Sequence, residues 1–156
     1  MEEDRFSNPV EARKKAMDYL ARREHACREL ARKLETAGFD ANVAADAIQQ
    51  LTDEGLQSDR RFVESFVQSR INQGKGPVRI CADLGERGIA VVLVDEVLGE
   101  TGQDWYELAR EVRTKKFGGE RPVDFKEKAR QMRFLQYRGF EPDQIQLAVS
   151  VDVQNA

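Results

Sequence analysis

The sequence predicts an all-α fold: three tandem three-helix repeats in an elongated, curved arrangement. Three observations carry this expectation. First, Leu34-Glu35-Thr36-Ala37-Gly38-Phe39 recurs as Leu84-Gly85-Glu86-Arg87-Gly88-Ile89 and as Leu135-Gln136-Tyr137-Arg138-Gly139-Phe140, each a Leu, three residues, a Gly and a large apolar side chain. Second, the glycines are 50 and then 51 positions apart, and ten residues beyond each stands another apolar residue, Ile48, Leu98 or Val149. Third, the apolar residues between these marks recur at intervals of three and four, the period of a helix with one buried stripe. Self-similarity at such a period signals stacked units, which build an extended body rather than a sphere.

The elements follow in order. Residues 1–9 read as a flexible N-terminus, after which an opening helix runs from Val10 to about Arg22. The next carries Ala26, Cys27, Leu30, Ala31 and Leu34 on one stripe and stops at Gly38, where only glycine adopts positive φ without cost. Asp40 then opens a helix with Val43, Ala44, Ala47, Ile48 and Leu51, ended by Gly55. Ser58-Asp59 is an N-cap for a helix that buries Phe62, Val63, Phe66, Val67 and Ile71, and Pro77 suits the first turn of its successor. The second unit continues with Ile80, Cys81 and Leu84, then Leu93, Val97 and Leu98. Its successor helix carries Trp105, Leu108, Ala109 and Val112. The β-branched stretch Ile89 to Val94 alone suggests a strand, but register with the other repeats makes it helical. The last unit has Phe125, Ala129, Met132 and Leu135 before Gly139, then Ile145, Ala148 and Val149. The expected unit boundaries are 10–57, 58–102 and 103–156.

Composition narrows the function classes. The 156 residues are 40% apolar and 34% charged, with 25 Lys plus Arg against 28 Asp plus Glu and a formal charge of −3. That balance excludes a polybasic or an acidic tail. The longest apolar run, Ile89 to Val94, falls far short of the roughly 20 residues that cross a bilayer, so no membrane association is expected. The acidic start Met1-Glu2-Glu3-Asp4 has no basic n-region, and with few cysteines it points to a cytoplasmic protein. Cys27, Cys81 and His25 are too few for a structural zinc site, and both cysteines read as reduced, small helical residues.

No catalytic constellation is expected, nor any cofactor or metal. Gly74-Lys75-Gly76 lacks the order of a phosphate-binding loop. His25 beside Glu24 reads as a solvated helix face, and Asp53-Glu54 and Asp95-Glu96 point to different helix faces. Trp105 and Tyr106 could stack on bases, although Trp105 fits the buried stripe.

Charge sign alternates along the chain. Eight bases face three acids from Arg13 to Lys33, five acids face no base from Asp40 to Asp59, and five bases face only Glu64 from Arg60 to Arg79. Seven acids then face only Arg87 from Asp83 to Glu107, and ten bases face four acids from Arg110 to Arg138. Either oppositely charged helices pair across the surface, or the repeat gathers like helices into one basic and one acidic side, the basic one suited to a phosphate backbone.

The chain also resembles the RecX family of bacterial regulatory proteins. Leu51-Thr52-Asp53-Glu54-Gly55-Leu56 with Ser58-Asp59-Arg60-Arg61-Phe62 resembles one family signature, and Arg70 with Gly74-Lys75-Gly76-Pro77 and Arg79-Ile80 resembles a second. Lys126 to Phe140 resembles the closing block, and the likeness spans residues 10 to 150, departing only at Gln57 and Ser58. The resemblance implies a non-enzymatic regulator that binds the filament formed by the RecA recombinase on single-stranded DNA. It would inhibit filament extension, strand exchange, ATP hydrolysis and co-protease activity, and so act in DNA repair and the SOS response. Its partners would be the RecA filament and single-stranded DNA, and it would act as a monomer. The bases expected to touch DNA or filament are Arg70, Lys75, Arg79, Lys115, Lys116, Lys126, Lys128, Arg130 and Arg133. A helix-turn-helix module reading duplex DNA and an adaptor without DNA contact are the competing expectations.

Overall fold

The computed structural model describes residues 4–150, and every regular element among them is helical. A 3-10 turn over Arg5–Ser7 leads into α1 (Pro9–Arg22), α2 (Cys27–Thr36), α3 (Ala41–Asp53), α4 (Asp59–Asn72), α5 (Pro77–Glu86), α6 (Val91–Glu100), α7 (Trp105–Phe117), α8 (Phe125–Arg138) and α9 (Pro142–Ser150). They pack in threes: α1 with α2 and α3, α4 with α5 and α6, α7 with α8 and α9. The all-α, tandem three-helix expectation stands.

The first helix of each group begins on a side-chain cap, which satisfies a backbone N–H that has no intrahelical partner. Asn8 Oδ1 accepts from Val10 N at 2.9 Å, Ser58 Oγ from Arg61 N at 3.2 Å and Asp104 Oδ1 from Glu107 N at 3.0 Å. The second helix of each group ends on the repeated glycine, with φ of 108° at Gly38, 77° at Gly88 and 96° at Gly139. The next residue donates its N–H to the leucine five back: Phe39 to Leu34 at 3.0 Å, Ile89 to Leu84 at 3.1 Å and Phe140 to Leu135 at 3.2 Å. This Schellman closure folds the apolar residue onto the helix it ends. All three leucines are fully buried, and Phe39, Ile89 and Phe140 nearly so. The repeated signature is a helix stop flanked by two core anchors.

The same glycines seat one unit on the next. Arg28 of α2 lies against Gly88, and Arg79 of α5 lies against Gly139. At Gly88 the far end of the Arg28 side chain fills the space of a Cβ, whereas at Gly139 the Arg79 backbone and Cβ fill it.

The apolar interior is divided. One cluster, with Leu30, Leu34, Phe39, Ile48 and Leu51, belongs to α1–α3. The other runs unbroken from Phe62 and Val67 through Ile80 and Leu84 to Leu135, Phe140 and Val149. Buried Gln57 links the two. Its Nε2 donates to His25 O at 3.1 Å and Asp59 Oδ1 at 3.0 Å, while its Oε1 accepts from Thr52 Oγ1 at 2.7 Å and Cys27 Sγ at 3.0 Å. Every hydrogen-bonding position of the amide is used.

Several local expectations change. His25 is not on a solvated face: it is 1% exposed, donating from Nδ1 to Arg23 O at 3.0 Å and accepting at Nε2 from Lys33 Nζ at 2.8 Å. Burial first, then the nearby charges of Arg23 and Lys33, holds its pKa below the ordinary value. Phe125 lies outside the core, 86% exposed at the first position of α8. Within Ile89 to Val94, Ile89 and Ala90 are the extended link and the helix begins at Val91. Of the N-terminal residues, 1–3 lie outside the described residues. Asp4 caps the 3-10 turn, and Phe6 packs edge-on against Phe39 with ring centroids 5.7 Å apart. Residues 151–156, assigned from the sequence to the third unit, also lie outside the described residues.

Candidate functional site

The Gly74-Lys75-Gly76-Pro77 segment between α4 and α5 meets the end of α8. Gly74, at φ 76°, turns the chain so that Lys75 N donates to Arg70 O at 3.0 Å. Gly76 N then donates to Arg138 O at 2.9 Å and Val78 N to Gly139 O at 2.9 Å. A Cβ on Gly76 would overlap the Gly139 carbonyl, which is why the backbones approach only through glycines. Side chains extend the joint: Arg138 donates to Gln73 O at 3.0 Å and Arg79 to Tyr137 O at 3.3 Å. Since the N–H groups of Gly74, Lys75 and Gly76 are spent on Ile71 O, Arg70 O and Arg138 O, the segment is not a phosphate cradle. It is a joint that leaves Lys75 at its surface.

Charge collects there. Lys75 has its pKa lowered by partial burial and by the neighbouring charges of Arg138, Arg79 and Arg70, with Asp83 the opposing carboxylate. The Nε atoms of Arg70 and Arg79 each stand 3.8 Å from Asp83 Oδ2, so one carboxylate serves both guanidiniums. Arg70 also covers the Phe66 ring, 4.1 Å from its centroid, and Arg87 covers the same ring at 4.8 Å. Four cations around one carboxylate leave local positive charge that attracts an anion.

Helix α8 continues the positive surface. Lys126, Arg130, Arg133 and Tyr137 fall at i, i+4, i+7 and i+11, one face of a helix, and all are exposed. Lys128 is half-buried and off this face, and Arg130 grips Glu127 at 2.9 and 3.0 Å, which offsets its charge. Lys115 and Lys116 end α7 on the rim of a groove of about 680 Å³ whose walls include Gln68, Asn72, Glu111 and Arg138. Lys116 and Arg138 both lie over Phe134, at 5.7 and 5.3 Å.

Of the bases expected from the sequence, Arg70, Lys75 and Arg79 thus converge at the joint. Lys126, Arg130 and Arg133 share a helix face, Lys115 and Lys116 border the groove, and Lys128 stands apart. Among the described residues, Lys75, Lys115, Lys116, Lys126, Lys128 and Arg133 form no ion pair within 4 Å. Arg60, by contrast, is tied to Glu64 and Glu96 at 3.3 Å and to Glu100, and Arg13 to Glu54 at 2.7 Å. Basic α4 pairs with acidic α6 through Arg60, while on α8 and at the joint Arg130, Arg70 and Arg79 are paired and, among the described residues, Lys75, Lys126, Lys128 and Arg133 are not.

Sequence reasoning missed Arg138 and Tyr137, which the repeat signature explains only as spacers. Their role appears when residues 73–79 and 137–139 come together. The aromatics suggested for stacking are otherwise engaged. Trp105 packs on the core, and Tyr106 donates its hydroxyl to Asp143. No group of three or more His, Cys, Asp or Glu that could hold a metal ion occurs among the described residues.

Fold and charge together define a tandem three-helix-repeat protein with a run of basic side chains along α8 and its joint with α5. The chain belongs to the RecX family of regulatory proteins. The family's first, second and third three-helix domains match residues 12–51, 58–98 and 103–149. A regulatory protein RecX of Ectopseudomonas mendocina (strain ymp) is 46% identical over 140 residues, covering 90% of this chain and 93% of that protein. The regulatory protein RecX of Halorhodospira halophila (strain DSM 244 / SL1) is 46% identical over 135 residues, 86% of this chain and 84% of its own. The crystal structure of RecX from Lactobacillus salivarius has the same fold, with a TM-score of 0.75 at 20% identity over 90% of this chain and 94% of that one. A further crystal structure of a regulatory protein RecX gives a TM-score of 0.77 at 21% identity, covering 90% and 72%.

Proposed function

We propose that this chain is a negative regulator of RecA that binds the RecA–single-stranded DNA filament. By occupying the filament it inhibits extension, strand exchange, ATP hydrolysis and co-protease activity, acting as a monomer in the cytoplasm and without chemistry of its own. The observation that carries this reading, beside family membership, is that Lys75 at the α5 joint and Lys126, Lys128 and Arg133 along α8 stand without an ion pair among the described residues, in a chain whose net charge is −3. A filament of DNA and protein presents phosphates beside protein surface, and a molecule with basic stretches beside acidic helices matches both. Exposed Val91 and Val92, at the start of acidic α6, give an apolar edge for the protein part.

The test uses purified RecA on single-stranded DNA with the full chain added well below the RecA concentration. ATP hydrolysis and strand exchange should both fall. Rates that stay level would defeat the proposal.

A further inference from the structure

Tyr137 is the one ring on the basic face of α8. It is 74% exposed, although its neighbours Leu135 and Phe140 are buried. Its position is set on two sides. Its backbone carbonyl accepts from Arg79 Nη1 at 3.3 Å, and the Arg79 guanidinium stands 5.6 Å from the ring centroid. Arg79 is itself steadied by Asp83 and by its seat against Gly139. The ring is thus braced by a cation on one side and open on the other. Lys126, Arg130 and Arg133 approach it along the same helix face, Arg138 follows it in the chain, and Lys75 and Arg70 lie across the joint.

We infer that Tyr137 is a stacking platform for an unpaired nucleobase, with Arg79 as the positioning residue behind it and the flanking bases holding phosphates on either side. This rests on the reading of the basic face as a nucleic-acid surface. Every base has a π-face, so a tyrosine so placed binds single strands without sequence preference, and a backing guanidinium strengthens the contact. In duplex DNA the bases are already stacked and the platform has nothing to receive. The ligand is therefore single-stranded nucleic acid, and preference for it over duplex is the platform's signature. Tyr106 cannot serve, because its hydroxyl is committed to Asp143 among acids that repel a phosphate backbone.

The experiment measures binding of the full chain to a fluorescent oligo-deoxythymidine and to a duplex of equal length, over a series of salt concentrations. Tyr137→Ala should weaken single-strand binding about tenfold, with the log–log salt slope and duplex affinity unchanged. Tyr137→Phe should keep nearly full affinity, which separates the ring from the hydroxyl. Circular dichroism verifies that each variant is folded. If the parent chain binds with a clear salt slope and Tyr137→Ala binds equally well, the platform is wrong and the basic face survives. If Tyr137→Ala lowers the salt slope and duplex affinity together, the residue acts only through Arg79, and stacking is again excluded. A parent chain that binds no single strand at any salt overturns the platform and the nucleic-acid reading of the basic face alike.

Discussion

Arg79 presses its Cβ and backbone onto Gly139, sixty residues along the chain, as Arg28 lays its guanidinium end onto Gly88 across the same interval. The two seats are equivalent in the repeat but differ in stiffness, because a long side chain can swing aside and a backbone cannot.

Alanine at these glycines reads out that difference. Both substitutions force a Cβ into a positive-φ position, costing about 1–2 kcal/mol. Gly88→Ala should cost little more, since Arg28 can move. Gly139→Ala should add about 1–3 kcal/mol of overlap with Arg79. Urea midpoints compare the two, and equal losses would show that the seats do not differ.

Stability should depend on pH through His25. Burial holds its pKa below the ordinary value of 6.5. The native state therefore binds fewer protons than the unfolded state, and the stabilisation present above about pH 6.5 is lost as pH falls through the folded pKa. Urea titrations between about pH 7.5 and pH 5.5 should show that decline in the parent protein and a flatter profile in His25→Gln. Parallel profiles would assign the decline to other groups.

Gln57→Leu keeps the approximate volume of the side chain and strands its partners. The Thr52 hydroxyl retains Ile48 O, but His25 O loses its Gln57 donor and Asp59 loses one of its two. A loss of about 2–4 kcal/mol is expected in chemical denaturation, against about 1 kcal/mol for Thr52→Val. A Gln57→Leu protein as stable as the parent would mean that the amide does not hold the units together.

Charge reversal separates unpaired bases from paired ones. Lys126→Glu with Arg133→Glu should weaken single-strand binding and flatten its log–log salt slope by about 0.7 for each lost phosphate contact. Inhibition of RecA ATP hydrolysis should weaken with it. Arg60→Glu, at a base already tied to Glu64, Glu96 and Glu100, should leave the slope unaltered. Equal effects from both variants would show that net charge, rather than the α8 face, governs binding.

How much of this was legible in the sequence varies with the range of the interaction. Leu34, Gly38 and Phe39 and their two recurrences revealed the fold, because a helix stop and its anchors lie within six residues and obey local geometry. His25 was misleading for the opposite reason. Arg22, Arg23 and Glu24 mark a surface, and only the packing of α1 against α2 encloses the imidazole. Phe125 fits the helical period of α8, but it sits a turn before the first position that reaches the core. Basic residues were readable as a charged segment, whereas their sorting was not: the pairing of Arg60 depends on α6, and the convergence of Lys75 with Arg138 depends on contacts between chain segments more than sixty residues apart.

The divided interior has a consequence for cooperativity. The three repeats have two apolar clusters, one shared by α4–α9 and reached by Ala26 alone from the first repeat, the other kept by α1–α3, which is the arrangement of two folding blocks. Opening of the first block leaves the second with its core intact and with α8, Tyr137 and the α5 joint still assembled. Amide exchange in such a chain is expected to show two protection levels, with the step between them near Gln57. A load on the α1–α3 end should then be absorbed by melting that arm, while the side chains of α8 and the α5 joint hold their spacing.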